Sequence, residues 1–110
     1  MDEYLTVMCA VGERANAELI ARTLVEEQLA ACVQLMPIES WYRWEGEVRR
    51  DPELMLLAKT RRARWAAAEA RIRALHGYHV PEIVAMPIVV GSAAYLAWVT
   101  QAVGMVAAEP

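Results

Sequence analysis

The strand-forming segments of this chain are apolar on both of their alternating sides, and this limits its fold more than any other feature. Side chains along a strand point alternately to opposite faces. A sheet covered by helices on one side should therefore alternate apolar with polar residues. Here Leu5, Val7 and Cys9 face one way and Met8 and Ala10 the other. Leu54, Leu56 and Ala58 oppose Met55 and Leu57, while Ile83, Ala85 and Val89 oppose Val84, Met86, Ile88 and Val90. Both faces require burial, and another copy of the same chain is the simplest cover for the face that helices leave open.

The first strand, 5–11, is ended by Gly12. Ala17, Ile20, Ala21, Leu24 and Gln28 then share one side of a helix, with Leu19 off that stripe. Residues 32–44 read as a second strand in which Pro37 requires a bulge or an edge position. Glu45 and Gly46 signal a tight turn, and 47–59 is the returning strand. A second helix starts near Ala63, carries Trp65, Ala68, Ile72 and Leu75 on one stripe, and stops at Gly77. Residues 83–90 form a fourth strand. Ser92 caps a third helix striped by Tyr95, Val99, Ala102 and Val103.

The order βαββαβα predicts an α+β fold of the ferredoxin-like type, with strands in the spatial order 4-1-3-2 and helices on one face. Strand 1 does not neighbour strand 2 in that order, so Cys9 and Cys32 should not meet. We expect a single domain over 1–110, with 104–110 as a frayed tail. The hairpin has a long reach: 33–44 spans about 40 Å when extended, against a radius of gyration near 13 Å for a domain of about 100 residues. It should overhang its own subunit and present Trp41, Tyr42 and Trp44 as interface residues.

Composition narrows the function. With 57% hydrophobic and 23% charged residues the chain is not a disordered one. Its longest apolar run, 83–90, is broken by Pro87 and falls well short of the roughly 20 residues a membrane helix needs. The net charge of −3 counts against nucleic-acid binding. The acidic start, Met1, Asp2 and Glu3, is unlike a targeting peptide, so a cytoplasmic location is expected. Two cysteines do not suggest a disulfide framework.

Several motifs stand in a distinctive order. They are Ala31, Cys32, Val33 and Pro37; then Trp41, Tyr42, Arg43, Trp44, Glu45 and Gly46; then Lys59 and Thr60. His76, Gly77, Tyr78, His79, Val80, Pro81, Glu82 and Ile83 follow, and lastly Tyr95, Leu96, Ala97 and Trp98. Together they resemble the CutA divalent-cation tolerance family from about Leu5 to Val103. The resemblance implies a ferredoxin-like homotrimer whose sheets pack around a threefold axis and whose hairpins clasp neighbours. It implies a role in tolerance to copper and other divalent ions, with metal ligands at Cys9, His76 and Glu82 and with His79 as an extra. Gly77 stands where the family usually carries proline.

The residues themselves leave alternatives open. Cysteine sulfur and histidine nitrogen suit copper, and a carboxylate suits harder ions, but no CxxC or HxxxH spacing is present. Cys9, flanked by apolar neighbours, reads more readily as a core thiol. His76 could cap a carbonyl at a helix end, and Glu82 could accept backbone hydrogen bonds at a subunit junction. Arg61, Arg62, Arg64, Arg71 and Arg73 around helix 2 read as a solvated face rather than an anion patch. By analogy of fold with the nitrogen-regulatory PII trimers, Trp41, Tyr42 and Trp44 could line a subunit cleft for a small ligand, although no phosphate-cradling glycine loop is present. No catalytic triad or carboxylate pair is assignable, and Arg14 without a glycine loop does not make a phosphatase site, so the chain is not read as an enzyme. A scaffold without a ligand completes the set of readings.

Overall fold

The computed structural model describes residues 3–104. Its elements are β1 (Tyr4–Val11), α1 (Arg14–Glu26), β2 (Cys32–Trp44), β3 (Glu47–Arg61), a short 3-10 turn (Arg62–Arg64), α2 (Trp65–Leu75), β4 (Ile83–Pro87) and α3 (Ala93–Ala102). The four strands form one antiparallel sheet in the order β2-β3-β1-β4. This is the ferredoxin-like arrangement expected from the element order. β2 lies at an edge, where Pro37 removes no ladder donor that a central strand would need. Cys9 and Cys32 are separated by β3, and both are free thiols.

Register sorts the side chains into two faces. Leu35, Leu56, Cys9 and Ile83 stand side by side across the sheet, as do Val33, Ala58, Val7 and Ala85. These rows meet Ala17, Ile20 and Leu24 of α1 and Ala68 and Ile72 of α2 in the main core. Each helix contributes the stripe read from its spacing, and Leu19 lies outside it, half exposed. On the opposite face Gln34, Leu57, Met8 and Val84 form one row, and Met36, Met55 and Ala10 form another. Met36, Val84 and Met86 of this face are about half exposed. One end of it is covered, where Val99 of α3 and Val103 just beyond the helix pack with Ala31 and Tyr4.

Several boundaries differ from the sequence reading: β1 opens at Tyr4, β3 runs on to Arg61, and α2 opens at Trp65 after the 3-10 turn rather than near Ala63. β4 ends at Pro87 rather than at residue 90. Pro87 has no N–H to continue the ladder; Ile88 makes one more bond, to the Tyr4 carbonyl at 2.9 Å, and Val89 and Val90 are then 77% and 84% exposed. α2 ends at Leu75, and His76 leaves the helix in an extended conformation before Gly77 is reached. Ser92 caps α3 as expected, its Oγ accepting from Tyr95 N–H at 3.2 Å. Of the segment 104–110, expected to fray, only Gly104 falls among the described residues.

The β2–β3 hairpin is closed by Glu45 and Gly46 at φ 53° and 79°. Positive φ at both central residues is the turn that matches strand twist. The hairpin runs far from the core, and the molecule measures 47 × 26 × 21 Å. Trp41 at its outer part is 64% exposed, with Trp44 and Tyr42 also exposed.

Candidate functional site

The hairpin and the loop after α2 bound a cleft of about 680 Å³. β2 supplies Trp41, Tyr42 and Trp44, and β3 supplies Arg49 and Glu53. The loop contributes Tyr78, His79 and Glu82. Register explains the β3 contribution. Arg49, Asp51 and Glu53 alternate along one face, opposite Tyr42, Ser40 and Ile38. That face continues the sheet surface that α1 and α2 leave uncovered.

Two phenols clamp two carboxylates. Tyr42 donates to Asp51 across the hairpin, and Tyr78 donates to Glu53 at 2.5 Å. Both hydroxyls are held above the ordinary tyrosine range. For Tyr42 the main cause is the bond to Asp51. For Tyr78 it is burial, followed by the bond to Glu53 and its charge. Arg49 lies between Glu45 and Glu47, at 3.6 and 3.9 Å. Arg50 places its guanidinium 5.6 Å from the Trp41 ring centroid.

The loop is fixed by polar contacts. The Asn16 side chain donates to the Leu75 carbonyl at 2.9 Å and accepts from Gly77 N–H at 3.0 Å. His76 is buried. Its Nε2 lies 2.9 Å from the Ala10 carbonyl, and its Nδ1 accepts from Tyr78 N–H at 3.0 Å. Those partners assign a neutral ring with the proton on Nε2. Gly12 leaves room for Tyr78: a Cβ there would stand 2.5 Å from the phenol oxygen.

Cys9 is completely buried on the helix side of the sheet. Burial, then the charges of Glu82 and Glu53, push its thiol up to about 12. It is therefore a protonated thiol at neutral pH, whereas a metal ligand is a thiolate. Glu82 is exposed and precedes Ile83, the β4 partner of Cys9. His76 reaches the backbone of Ala10, next to Cys9. The structure thus brings Cys9, His76 and Glu82 into one neighbourhood, with the first sealed, the second engaged at both nitrogens and the third open. Among the described residues no three His, Cys, Asp or Glu are grouped to hold a metal ion. His79 is exposed at the cleft.

Sequence reasoning passed over Asp51, Glu53 and Tyr78. The spacing of two between Asp51 and Glu53 places both carboxylates on one strand face and could have been read. Tyr78 meets Glu53 across 25 positions, and nothing local announces that contact.

Comparison with known proteins places the chain in a family. Residues 5–102 match the family described as "CutA1 divalent ion tolerance protein". The "Divalent-cation tolerance protein CutA" of Thermus thermophilus is 48% identical over 99 residues, covering 89% of this chain and 96% of that protein. "Protein CutA, chloroplastic" of Arabidopsis thaliana is 42% identical over 95 residues, covering 86% of this chain and 52% of that protein, so the chain spans about half the length of this relative. The "Periplasmic divalent cation tolerance protein CutA" from Archaeoglobus fulgidus superposes with a TM-score of 0.90 at 34% identity, covering 92% of this chain and 99% of that one.

Proposed function

The chain belongs to the CutA1 divalent ion tolerance family, and from that premise we propose that it acts in divalent-cation tolerance as a cytoplasmic homotrimer that binds copper or another divalent ion and catalyses no reaction. The observation that carries the reading is the gathering of negative charge at the cleft. Glu82 from the loop and Glu53 from the hairpin both raise the pKa of the Cys9 thiol beneath. A cation in the cleft lies among those two carboxylates together with Arg49 and His79.

Within the set Cys9, His76 and Glu82, the exposed carboxylate is the member an ion reaches. Cys9 would have to lose a proton it holds strongly, and His76 would have to give up one of its two hydrogen bonds. A full ligand shell therefore draws on water or on a neighbouring copy. The test is equilibrium dialysis of the purified protein against copper, with Glu82→Gln, Cys9→Ser and His76→Gln alongside. We expect Glu82→Gln to weaken binding about tenfold, with Cys9→Ser and His76→Gln changing it less than about threefold. Failure of the unaltered protein to retain copper or any other divalent ion would overturn the metal reading.

A second reading has its own support. The cleft volume of about 680 Å³ lies in the range of small-molecule sites, and its aromatic walls suit an organic ligand. On this reading the homotrimer is a regulatory module binding a small molecule at subunit clefts.

A further inference from the structure

We infer that Asn16 is a positioning residue for the candidate ligand His76: it clamps the backbone on both sides of that residue, keeps both imidazole nitrogens engaged and so withholds the ring from a metal ion. The inference rests on the metal reading above and names what governs one of its ligands.

Asn16 stands in the first turn of α1. Its side-chain nitrogen donates to the Leu75 carbonyl at 2.9 Å and its side-chain oxygen accepts from Gly77 N–H at 3.0 Å. One partner accepts and the other donates, so a single orientation of the amide satisfies both. Those two bonds fix the peptide units that enter and leave His76. α2 has already ended there. The His76 N–H makes its last bond, to the Ile72 carbonyl at 2.8 Å, and the backbone turns extended at φ −69° and ψ 142°. The next residue, Gly77, is exposed and of the most permissive backbone type. Asn16 therefore restrains the loop where it would otherwise be freest.

The imidazole is what this backbone controls. His76 Nε2 carries the proton and lies 2.9 Å from the Ala10 carbonyl, and Nδ1 accepts from Tyr78 N–H at 3.0 Å. Metal-ligating histidines commonly donate one ring N–H to a carbonyl and coordinate through the other nitrogen. His76 has the first half of that arrangement. The second half is occupied by an amide of its own chain, two residues on. That amide reaches Nδ1 only while the Gly77 backbone is turned as it is here. The Tyr78 ring then lies against the imidazole, with centroids 4.8 Å apart. An ion approaching Nδ1 must displace the Tyr78 N–H, and the clamp on Gly77 opposes that movement. His76 is a ligand already oriented and held shut.

Two measurements on the purified protein in its native assembly test this, the first without metal. At about pH 8.5, where an ordinary imidazole is neutral, nitrogen NMR spectra should show His76 as one tautomer, protonated at Nε2. In Asn16→Ala the two ring nitrogens should shift towards each other as the tautomers mix, and the Tyr78 amide should exchange with solvent at least about tenfold faster. Asn16→Asp still accepts from Gly77 N–H but has no donor for Leu75, and should fall between the two. The second measurement is equilibrium dialysis against copper. Asn16→Ala should bind about threefold to tenfold more tightly than the unaltered protein, and adding His76→Gln should remove the gain. A His76 ring spectrum identical in the unaltered protein and Asn16→Ala would overturn the inference. So would copper held no more tightly by Asn16→Ala, or a gain that survives His76→Gln. Absence of copper from every variant is a different failure: it overturns the metal reading, and the ring spectrum then decides alone whether Asn16 positions His76.

Discussion

At the scale of single residues, Cys9 carries the clearest consequence. The folded chain holds its thiol proton up to about 12, whereas an unfolded chain releases it near the ordinary value of about 8.5. Between those values the unfolded state binds fewer protons, so stability falls as pH rises. The contribution is fully present below about pH 8.5 and is lost by about pH 12. Urea midpoints measured from pH 8 to 11 should fall in the unaltered protein and fall less steeply in Cys9→Ala. A parallel slope would show that the buried thiol is not the group responsible. Thr60 gives a second case. Its buried hydroxyl donates to the Leu29 carbonyl at 2.7 Å. Thr60→Val leaves that carbonyl without its donor and should cost about 1–3 kcal/mol in chemical denaturation. Gly12 acts on the cleft rather than on the core. Gly12→Ala should push the Tyr78 phenol away from Glu53, and the Tyr78 hydroxyl titration followed by ultraviolet absorbance should move back towards the ordinary tyrosine range.

At the scale of elements, stability is local and separable. Ser92→Ala removes the one side-chain cap of α3 and should cost about 1 kcal/mol, seen as faster amide exchange in the first turn of that helix. Gly46→Ala forces a Cβ into a left-handed position and should cost about 1–2 kcal/mol, with the loss confined to the hairpin. Most elements were legible in the sequence because each carried its own period. The helix stripes at Ala17, Ile20 and Leu24 and at Ala68 and Ile72 are the buried ones. Glu45 and Gly46 fixed the hairpin register, and Pro37 pointed to the edge strand. Where local signals competed, apolar character was read too far: Val89 and Val90 look like strand residues, yet the missing N–H of Pro87 ends the ladder first. The cleft was harder to read. Trp41, Tyr42 and Trp44 advertise themselves by exposure and density, but Tyr78 reaches Glu53 only through tertiary structure.

At the scale of the whole molecule, one property organises the rest. α1 and α2 bury the centre of one face of the sheet, with Val7, Cys9 and Leu56 at 0% exposure against Ile72 of α2. The other face offers Met36, Val84 and Met86, and beyond it Val89, Val90 and Trp98, to whatever lies outside. At roughly 25 cal/mol for each Å² of apolar surface covered, a patch of that kind rewards association strongly. The overhanging arm extends the same surface and carries the cleft with it. In the proposed homotrimer, identical neighbours supply the cover that the helices do not.

Sedimentation equilibrium at micromolar concentration tests this most directly. The account predicts a single species of three times the 12.3 kDa chain mass, unchanged on tenfold dilution. A stable particle of one chain mass, with the methionine-rich side of its sheet left in water, would contradict it.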